Sequence, residues 1–273
     1  MIIFSDKNLS KKLELTEANA NANFVNARAK MQASSGAEWI NVNGTYALFD
    51  GITSPLTQTF GLGLYSDVTH DDLEMIEKFF QTHGAMVFHE VSPMADPAHL
   101  TMLHERGYIP VELTSVMYKT LTQDNVIHHP VNLMLAVKQL PKGEEDKWAR
   151  VAAQGWSTEM EGLSDFIYQL SSIAANSDNA FPFYAELDSK MISTGMLNIH
   201  NDVAILAGAS TIPEGRNRGA QNALLNARLN YAANHGCTLA MMCASPGSQS
   251  QKNAEKNGFR IAYTRTKWKL MKR

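Results

Sequence analysis

Val203-Ala204-Ile205-Leu206-Ala207-Gly208-Ala209-Ser210-Thr211-Ile212 runs into Pro213-Glu214-Gly215-Arg216-Asn217-Arg218-Gly219-Ala220-Gln221, and the reading of this stretch decides the fold. Val203 to Ile212 is an apolar, β-prone run, and Pro213 ends it because proline has no N–H to give to a ladder. Beyond the loop, Leu225, Leu229 and Ala232 share one face at helical spacing. A helix start there leaves orphan backbone N–H groups over Arg216 to Gln221, at the positive end of the helix dipole. Gly219 keeps a Cβ out of the way of an approaching anion, and Arg216 and Arg218 add positive charge. Taken alone, the loop reads equally well as an anion site or as a strand-to-helix turn with two solvated arginines. Gly208, inside the strand, marks either a bulge or close packing against a helix.

Working outward, the surroundings of this stretch occur twice. One segment has His83-Gly84, the apolar run Ala85 to Phe88, Ser92-Pro93, a helical stretch and Gly107-Tyr108. The other has His235-Gly236, the apolar run Thr238 to Met242, Ser245-Pro246, a helical stretch and Gly258-Phe259. His83 to His235 is 152 positions, Ser92 to Ser245 is 153, and Gly107 to Gly258 is 151. Shared order and spacing point to a duplicated domain. Each copy ends in strand-like sequence, Val111 to Leu121 and Arg260 to Leu270. Upstream, helical spacing marks Leu9 to Met31 in the first copy, then Trp148 to Ala152 and Leu163 to Ala174 in the second.

Strands follow those helices. The first copy predicts Glu38 to Val42, an Asn43-Gly44 turn, Thr45 to Phe49, and Gln58 to Tyr65. The second predicts Phe181 to Leu187, a turn at Asp188-Ser189, Met191 to Ile199, a turn at His200 to Asp202, and Val203 to Ile212. The expectation is a mixed α/β chain of two domains, 1–125 and 131–273. Each has a mostly antiparallel central sheet flanked by helices. The polar segment Thr122 to Pro130, with His128-His129, reads as the linker.

Composition bounds the function. The chain has 273 residues, about two domains by length. Its 24 Lys and Arg against 27 Asp and Glu give a net charge of −3, which argues against nucleic-acid or polybasic membrane binding. With 44% hydrophobic residues the chain can bury a core. No run of about 18 apolar residues occurs, so no membrane span is expected, and the opening residues lack the pattern of a signal peptide. Cys237 and Cys243 are too few for a disulfide framework and fit a reducing cytoplasm. With His235 they lack a fourth ligand at zinc spacing, so no metal is expected. Trp156, Phe181, Phe183 and Tyr184 read as pocket lining or as core.

Arg216 to Gln221 resembles the R/Q-x-x-G-x-G/A loop of the GNAT superfamily of N-acetyltransferases, departing from it at Gln221. The likeness continues through Thr238, Ser250 to Asn253 and Gly258-Phe259, over nearly all of Val131 to Arg273. The resemblance implies that backbone N–H groups of Arg216, Asn217, Arg218, Gly219, Ala220 and Gln221 hold the pyrophosphate of acetyl-CoA. It further implies that Ala209, Ser210 and Thr211 pair with the pantetheine arm, that Gly208 sits at a bulge, and that Asn253 contacts the cofactor. The Ala209 N–H would polarise the thioester carbonyl. The position of the family's general-acid Tyr is Ala254 here, which puts thiolate protonation by a side chain in doubt. The strand position of a catalytic Glu in some relatives is Ile205. Glu186 is the nearest carboxylate in sequence, with Glu159 second, and either is equally a surface residue.

The first copy lacks the loop. Gly61-x-Gly63 has no third glycine at the helix start, and Asp71-Asp72 would repel a pyrophosphate while stabilising the dipole themselves. It resembles a degenerate GNAT copy. The resemblance thus implies an acyl-CoA-dependent N-acyltransferase acting on a primary amine of a small molecule or peptide. The alternatives are a non-catalytic CoA- or anion-sensing module, and a structural tandem that presents a surface to a partner. Nothing in the sequence fixes the acceptor or the oligomeric state.

Overall fold

A computed structural model describes residues 3–122, 135–158 and 162–271. From position 123 onward the expected linker, with His128 and His129, lies outside the described residues, as does Glu159. The fold is mixed α/β with mostly antiparallel strands. It divides into two compact units, Met1–Lys119 with Met241–Arg273, and Thr120–Ala240.

The first unit opens with helix α1 (Lys7–Met31), started by the Asp6 carboxylate accepting from the Leu9 N–H at 2.8 Å. Strands β1 (Glu38–Val42) and β2 (Thr45–Phe49) form a hairpin. Its turn residues Asn43 and Gly44 both have positive φ, 49° and 89°, as a two-residue turn between twisted strands requires. Strand β3 (Gln58–Phe60), helix α2 (His70–Thr82), strand β4 (Phe88–Val91), helix α3 (Pro97–Glu105) and strand β5 (Tyr108–Thr120) follow. Alternate residues of β2 serve opposite faces. Ala47 and Phe49 meet Leu73, Ile76 and Phe80 of α2, while Leu48 meets Ala18, Ala22 and Val25 of α1.

The strand expected over Gln58 to Tyr65 stops at Phe60. Gly61 (φ 82°) and Gly63 (φ 71°) turn the chain away, and Leu64 N–H donates to Gly61 O at 3.2 Å. A Cβ on Gly63 would lie 2.1 Å from His99 Nδ1. Gly63 makes room for a buried imidazole and Gly61 for the Tyr65 ring, 2.8 Å from where its Cβ would stand, which explains a spacing that is no nucleotide fingerprint.

The second unit contains strand β6 (Leu135–Gln139), helices α4 (Glu145–Gln154) and α5 (Leu163–Ala175), and strands β7 (Ala180–Leu187), β8 (Lys190–His200) and β9 (Val203–Thr211). Helix α6 (Ala220–Asn234) completes it. Strand β6 was not read from the sequence. Its strands pair antiparallel in the order β9-β8-β7-β6. The expected turn at Asp188-Ser189 is present, both residues at positive φ. Trp148 of α4, 1% exposed, donates its indole N–H to Phe183 O at 2.8 Å and packs with Tyr184, while the Phe183 ring meets Tyr231 of α6.

Strand β10 (Leu239–Ala244) crosses the division between units, and helix α7 (Gln249–Lys256) and strand β11 (Arg260–Leu270) belong to the first unit. There β11 lies between β4 and β5, antiparallel to both, giving the order β1-β2-β3-β4-β11-β5. The C-terminal strand of the chain is thus an interior strand of the first unit. Charge holds it there. Arg265 donates to Glu17 at 2.6 and 2.9 Å and to Glu14 at 3.4 Å, and pairs with Glu90 at 3.0 Å. Lys267 pairs with Glu90 and Glu112, and the Tyr263 hydroxyl donates to Glu14 at 2.9 Å. Burial raises the Glu14 carboxyl to about 7 despite Arg265. Burial also acts on Glu17, but the charge and hydrogen bonds of Arg265 outweigh it and hold that carboxyl low.

A carboxyl raised from 4.5 to about 7 on folding contributes stability that is complete below about pH 4.5 and is lost as pH rises through 7. Between those values the slope approaches 1.4 kcal/mol per pH unit, by about the linkage limit for one proton. Glu14→Gln removes that proton uptake, so urea unfolding at pH 5, 6, 7 and 8 should give a flatter stability profile for the variant than for the wild type. Parallel profiles would show that Glu14 is already ionised in the folded unit.

Candidate functional site

The second unit brings a strand irregularity and an uncapped helix start to one end of its sheet. Along β8 and β9, Ser193 faces Thr211, Thr194 faces Ser210, and Met196 faces Ala207. Gly195 therefore stands opposite two residues, Gly208 and Ala209. That is a bulge, with Gly208 at φ 56°. A Cβ on Gly208 would meet Met196 Cβ at an ordinary 3.6 Å, so the left-handed backbone, not close packing, requires glycine there. Ala207, Gly208 and Ala209 are exposed, whereas Ser210 is buried.

After Thr211 a short turn, Pro213–Gly215, leads to the exposed loop Arg216, Asn217, Arg218 and Gly219. Asn217 (φ 61°) and Gly219 (φ 85°) are left-handed, and Gly219 precedes α6 with no side chain capping the helix. Nothing lies within 4 Å of a Cβ built on Gly219, so the space over the first N–H groups is open. In the first unit the start of α2 is closed. At α2 the Thr69 hydroxyl accepts from Asp72 N–H at 3.1 Å, and the Asp72 carboxylate accepts from Thr69 N–H at 2.9 Å.

Side chains brace the open loop from below. Arg216 Nη2 donates to Gly155 O at 2.9 Å and Thr158 Oγ1 at 3.2 Å, tying the loop to the segment after α4. Gln221 turns toward the sheet, its amide donating to Thr211 Oγ1 at 2.7 Å and Ser193 Oγ at 3.2 Å. The residue that departs from the family pattern thus links helix start to strand end. Ser210 Oγ donates to Ala152 O at 2.9 Å, seating α4 on β9. Ala220 is buried, and Arg218 is exposed beside Gly219.

Ala209, Ser210, Thr211 and Arg216 to Gln221 therefore lie together at the C-terminal end of β9. Glu186 is on β7, at the sheet end that also carries Thr211, and pairs with Lys138. Two strand spacings separate β7 from β9, roughly 10 Å. Asn253 is an exposed residue of α7, in the other compact unit, and its Oδ1 accepts from Gln249 Nε2 at 2.8 Å. Ala254 is 1% exposed and offers no hydroxyl. Of the aromatic residues, Phe183 is core, Tyr184 packs with Trp148, Phe181 meets Tyr231, and Trp156 is 40% exposed next to Gly155. Burial raises both thiols, Cys237 to about 11. Among the described residues no group of three or more His, Cys, Asp or Glu forms a metal cluster.

Three residues were missed from sequence: Gly155, Gly195 and Arg228. A charged residue between Leu224 and Ala232, four positions from each on a buried helix face, was a signal for Arg228. The glycines carried none, because what fills their side-chain space comes from distant parts of the chain.

Residues 145–259 match the family model described as "Acetyltransferase (GNAT) family". The fold is similar to a GCN5-related N-acetyltransferase from Kribbella flavida, at 17% identity over 92% of this chain and 96% of that one, with a TM-score of 0.61. It is also similar to a tandem GNAT protein from the clavulanic acid biosynthesis pathway, at 11% identity over 83% and 78%, with a TM-score of 0.57. A GCN5-related N-acetyltransferase from Sphaerobacter thermophilus aligns at 13% identity over 85% and 75%, with a TM-score of 0.55. At such identities the likeness is one of fold. No curated protein matches the sequence.

A Cβ on Gly155 would stand 2.6 Å from Ser210 Oγ and 3.0 Å from the Thr211 backbone N, although the φ of −63° suits alanine. Gly155→Ala should therefore force α4 off the end of β9 and cost about 1–3 kcal/mol, the usual range for overpacking. Urea unfolding followed by tryptophan fluorescence measures this, and unchanged stability would contradict the close seating of α4.

Proposed function

We propose that this chain, whose residues 145–259 match the GNAT acetyltransferase family model, is an acyl-CoA-dependent N-acyltransferase that transfers acetyl from acetyl-CoA to a primary amine of a small molecule or peptide. The observation that carries the proposal is the uncapped start of α6 beside the bulge in β9. Open N–H groups at a helix start suit a pyrophosphate, and Arg216 and Arg218 supply the matching charge. The division into sequence copies 1–125 and 131–273 belongs to the same proposal, with one CoA-binding copy, the second. In the first copy the α2 start is already satisfied by Thr69 and Asp72 and carries Asp71 beside it. A cytoplasmic setting, drawn from two free thiols, completes the reading.

Bound acetyl-CoA would supply an activated thioester for direct attack by the neutral amine. The roles proposed for the chain's own residues are these. The loop from Arg216 to Gln221 holds the phosphates, while Gln221 fixes that loop to Thr211 and Ser193. Ala209, Ser210 and Thr211 align the extended arm, and the Ala209 N–H, outside the β8 ladder, donates to the developing oxyanion. Holding donor and acceptor together removes much of the entropy of encounter. Glu186, paired with Lys138, takes the amine proton through water, since two strands separate it from β9. With Ala254 in the place of a Tyr, water protonates the departing thiolate, which is a modest task near pH 7 because a free thiol has a pKa of about 8.5. Asn253 is proposed as a further cofactor contact on the resemblance alone. Because Ala254 brings no hydroxyl, a CoA-sensing module without turnover is the second reading. Release of free thiol from acetyl-CoA over an amine panel separates the two.

Calorimetry with CoA should find one site per chain. Gly219→Glu, which sets a negative charge in the open space over α6, should abolish that binding with little change in melting temperature. Two equivalent sites, or CoA binding unaffected in folded Gly219→Glu, would remove the loop from the site.

Glu186→Gln should slow transfer about tenfold at pH 7, less at higher pH, as expected of a distant base that works through water. A loss of a thousandfold or more at every pH, with CoA still bound, would make Glu186 indispensable and this assignment wrong.

A further inference from the structure

Arg228 is buried in the second unit with no carboxylate partner among the described residues. Its residue is 3% exposed, on the face of α6 that also buries Leu224, Leu229 and Ala232. Buried arginines are ordinarily met by acids. Here the acceptors are three backbone carbonyls: Leu224 O at 3.2 Å from Nε, and Met196 O at 2.9 Å and Ala207 O at 3.3 Å from Nη1. Met196 and Ala207 face each other on β8 and β9 at the rung that closes the bulge. The guanidinium thus joins both strands next to the point where Gly208 and Ala209 leave the ladder.

Gly195 is the third part of the arrangement. A Cβ there would lie 2.8 Å from Cζ and 2.9 Å from Nη1 of Arg228, so the guanidinium occupies the space of the missing side chain. Gly195 is also the residue opposite Gly208 and Ala209. Burial lowers the Arg228 pKa to about 10, which leaves the group charged at neutral pH. Among the described residues no acid neutralises it. Neutral donors would suffice to satisfy three carbonyls, whereas a full charge in a dry site costs desolvation and projects a positive field into its surroundings.

We propose that Arg228 is a positioning residue for acyl transfer: seated in the Gly195 space and held by the Met196 and Ala207 carbonyls, it fixes the β9 bulge and sets positive charge behind the Ala209 N–H where the thioester carbonyl is polarised. This rests on the acyl-CoA reading of the site. Nothing is transferred to or from Arg228. It acts by fixing a backbone dipole and by its field, which is the kind of preorganisation that favours charge developing in a transition state.

The test uses the full chain with acetyl-CoA labelled with carbon-13 at the carbonyl. Isotope-edited infrared spectroscopy reads the polarisation of the bound thioester without need of the amine acceptor. In the wild type the carbonyl band should move to lower frequency on binding. Arg228→Met, of similar length but uncharged, should lose much of that displacement while its calorimetric Kd for CoA stays within about threefold. Where an amine substrate is in hand, kcat should fall about tenfold with the KM for acetyl-CoA unchanged, less than the loss on removing a direct oxyanion donor. Gly195→Ala displaces the guanidinium without altering any charge and should reproduce the spectral loss, and Arg228→Lys should restore part of it. If Arg228→Met does not fold, the Gly195→Ala and Arg228→Lys pair decides. A bound carbonyl band at the wild-type frequency in the variants overturns the proposal while leaving the acyl-CoA reading intact. Failure of the wild-type chain to bind acetyl-CoA removes that reading, and this proposal with it.

Discussion

A cation in the middle of a sheet must be met by acids brought from other elements, and Arg265 imposes that condition on the whole first unit. Its strand, β11, comes from the far end of the chain and lies between β4 and β5. Glu14 and Glu17, three residues apart on one face of α1, meet it from the helix layer, and Glu90 meets it from β4. A slip of β11 by one residue would turn Arg265 to the opposite face and leave three buried carboxylates uncompensated. Loss of one partner from such a network costs roughly 3–5 kcal/mol, far more than an exposed pair contributes. The network therefore specifies register as well as contributing stability. Burial, with the neighbouring charges of Glu17 and Glu90 adding to it, raises the Glu14 carboxyl to about 7 despite Arg265.

The second unit handles its buried cation by the opposite means. Arg228 is met by carbonyls that the bulge in β9 makes accessible, and its charge is left standing. Polar satisfaction and strand distortion are linked at this point. The bulge exposes Ala207 to Ala209 on one side, and the guanidinium holds the backbone on the other. Gly195 and Gly208 serve one geometry for different reasons, the first by leaving volume and the second by adopting a left-handed backbone.

Helices α2 and α6, each preceded by a strand of its own unit, differ in how their first N–H groups are satisfied. The α2 start is closed by its own Thr69 and Asp72, and the strand before it is cut short at Phe60. The α6 start is open, preceded by a nine-residue strand with a bulge. A few side chains, Thr69 and Asp72 against Gly219 and Gln221, separate a helix that satisfies itself from one whose first N–H groups face open space.

By itself the sequence determined what short-range chemistry controls. Asn43-Gly44 and Asp188-Ser189 specify hairpin turns through their backbone preferences, Pro213 ends a strand, and the periodicities of α1, α4, α5 and α6 are local. The loop from Arg216 to Gln221 and the acidic start of α2 at Asp71-Asp72 were legible because both are short local patterns, whereas the closing of the α2 start by Thr69 and Asp72 emerged from the structure. Only the tertiary structure decided that Gly208 marks a bulge, that Gly63 yields its space to His99, and that Gln221 turns toward Ser193 and Thr211. It alone revealed Arg228 under Gly195 and placed Arg260–Leu270 between β4 and β5. Each of these depends on partners from distant parts of the chain. A strand's periodicity states which face is apolar but not which edge it will join, and a glycine's sequence neighbours say nothing of the side chain that will occupy its space.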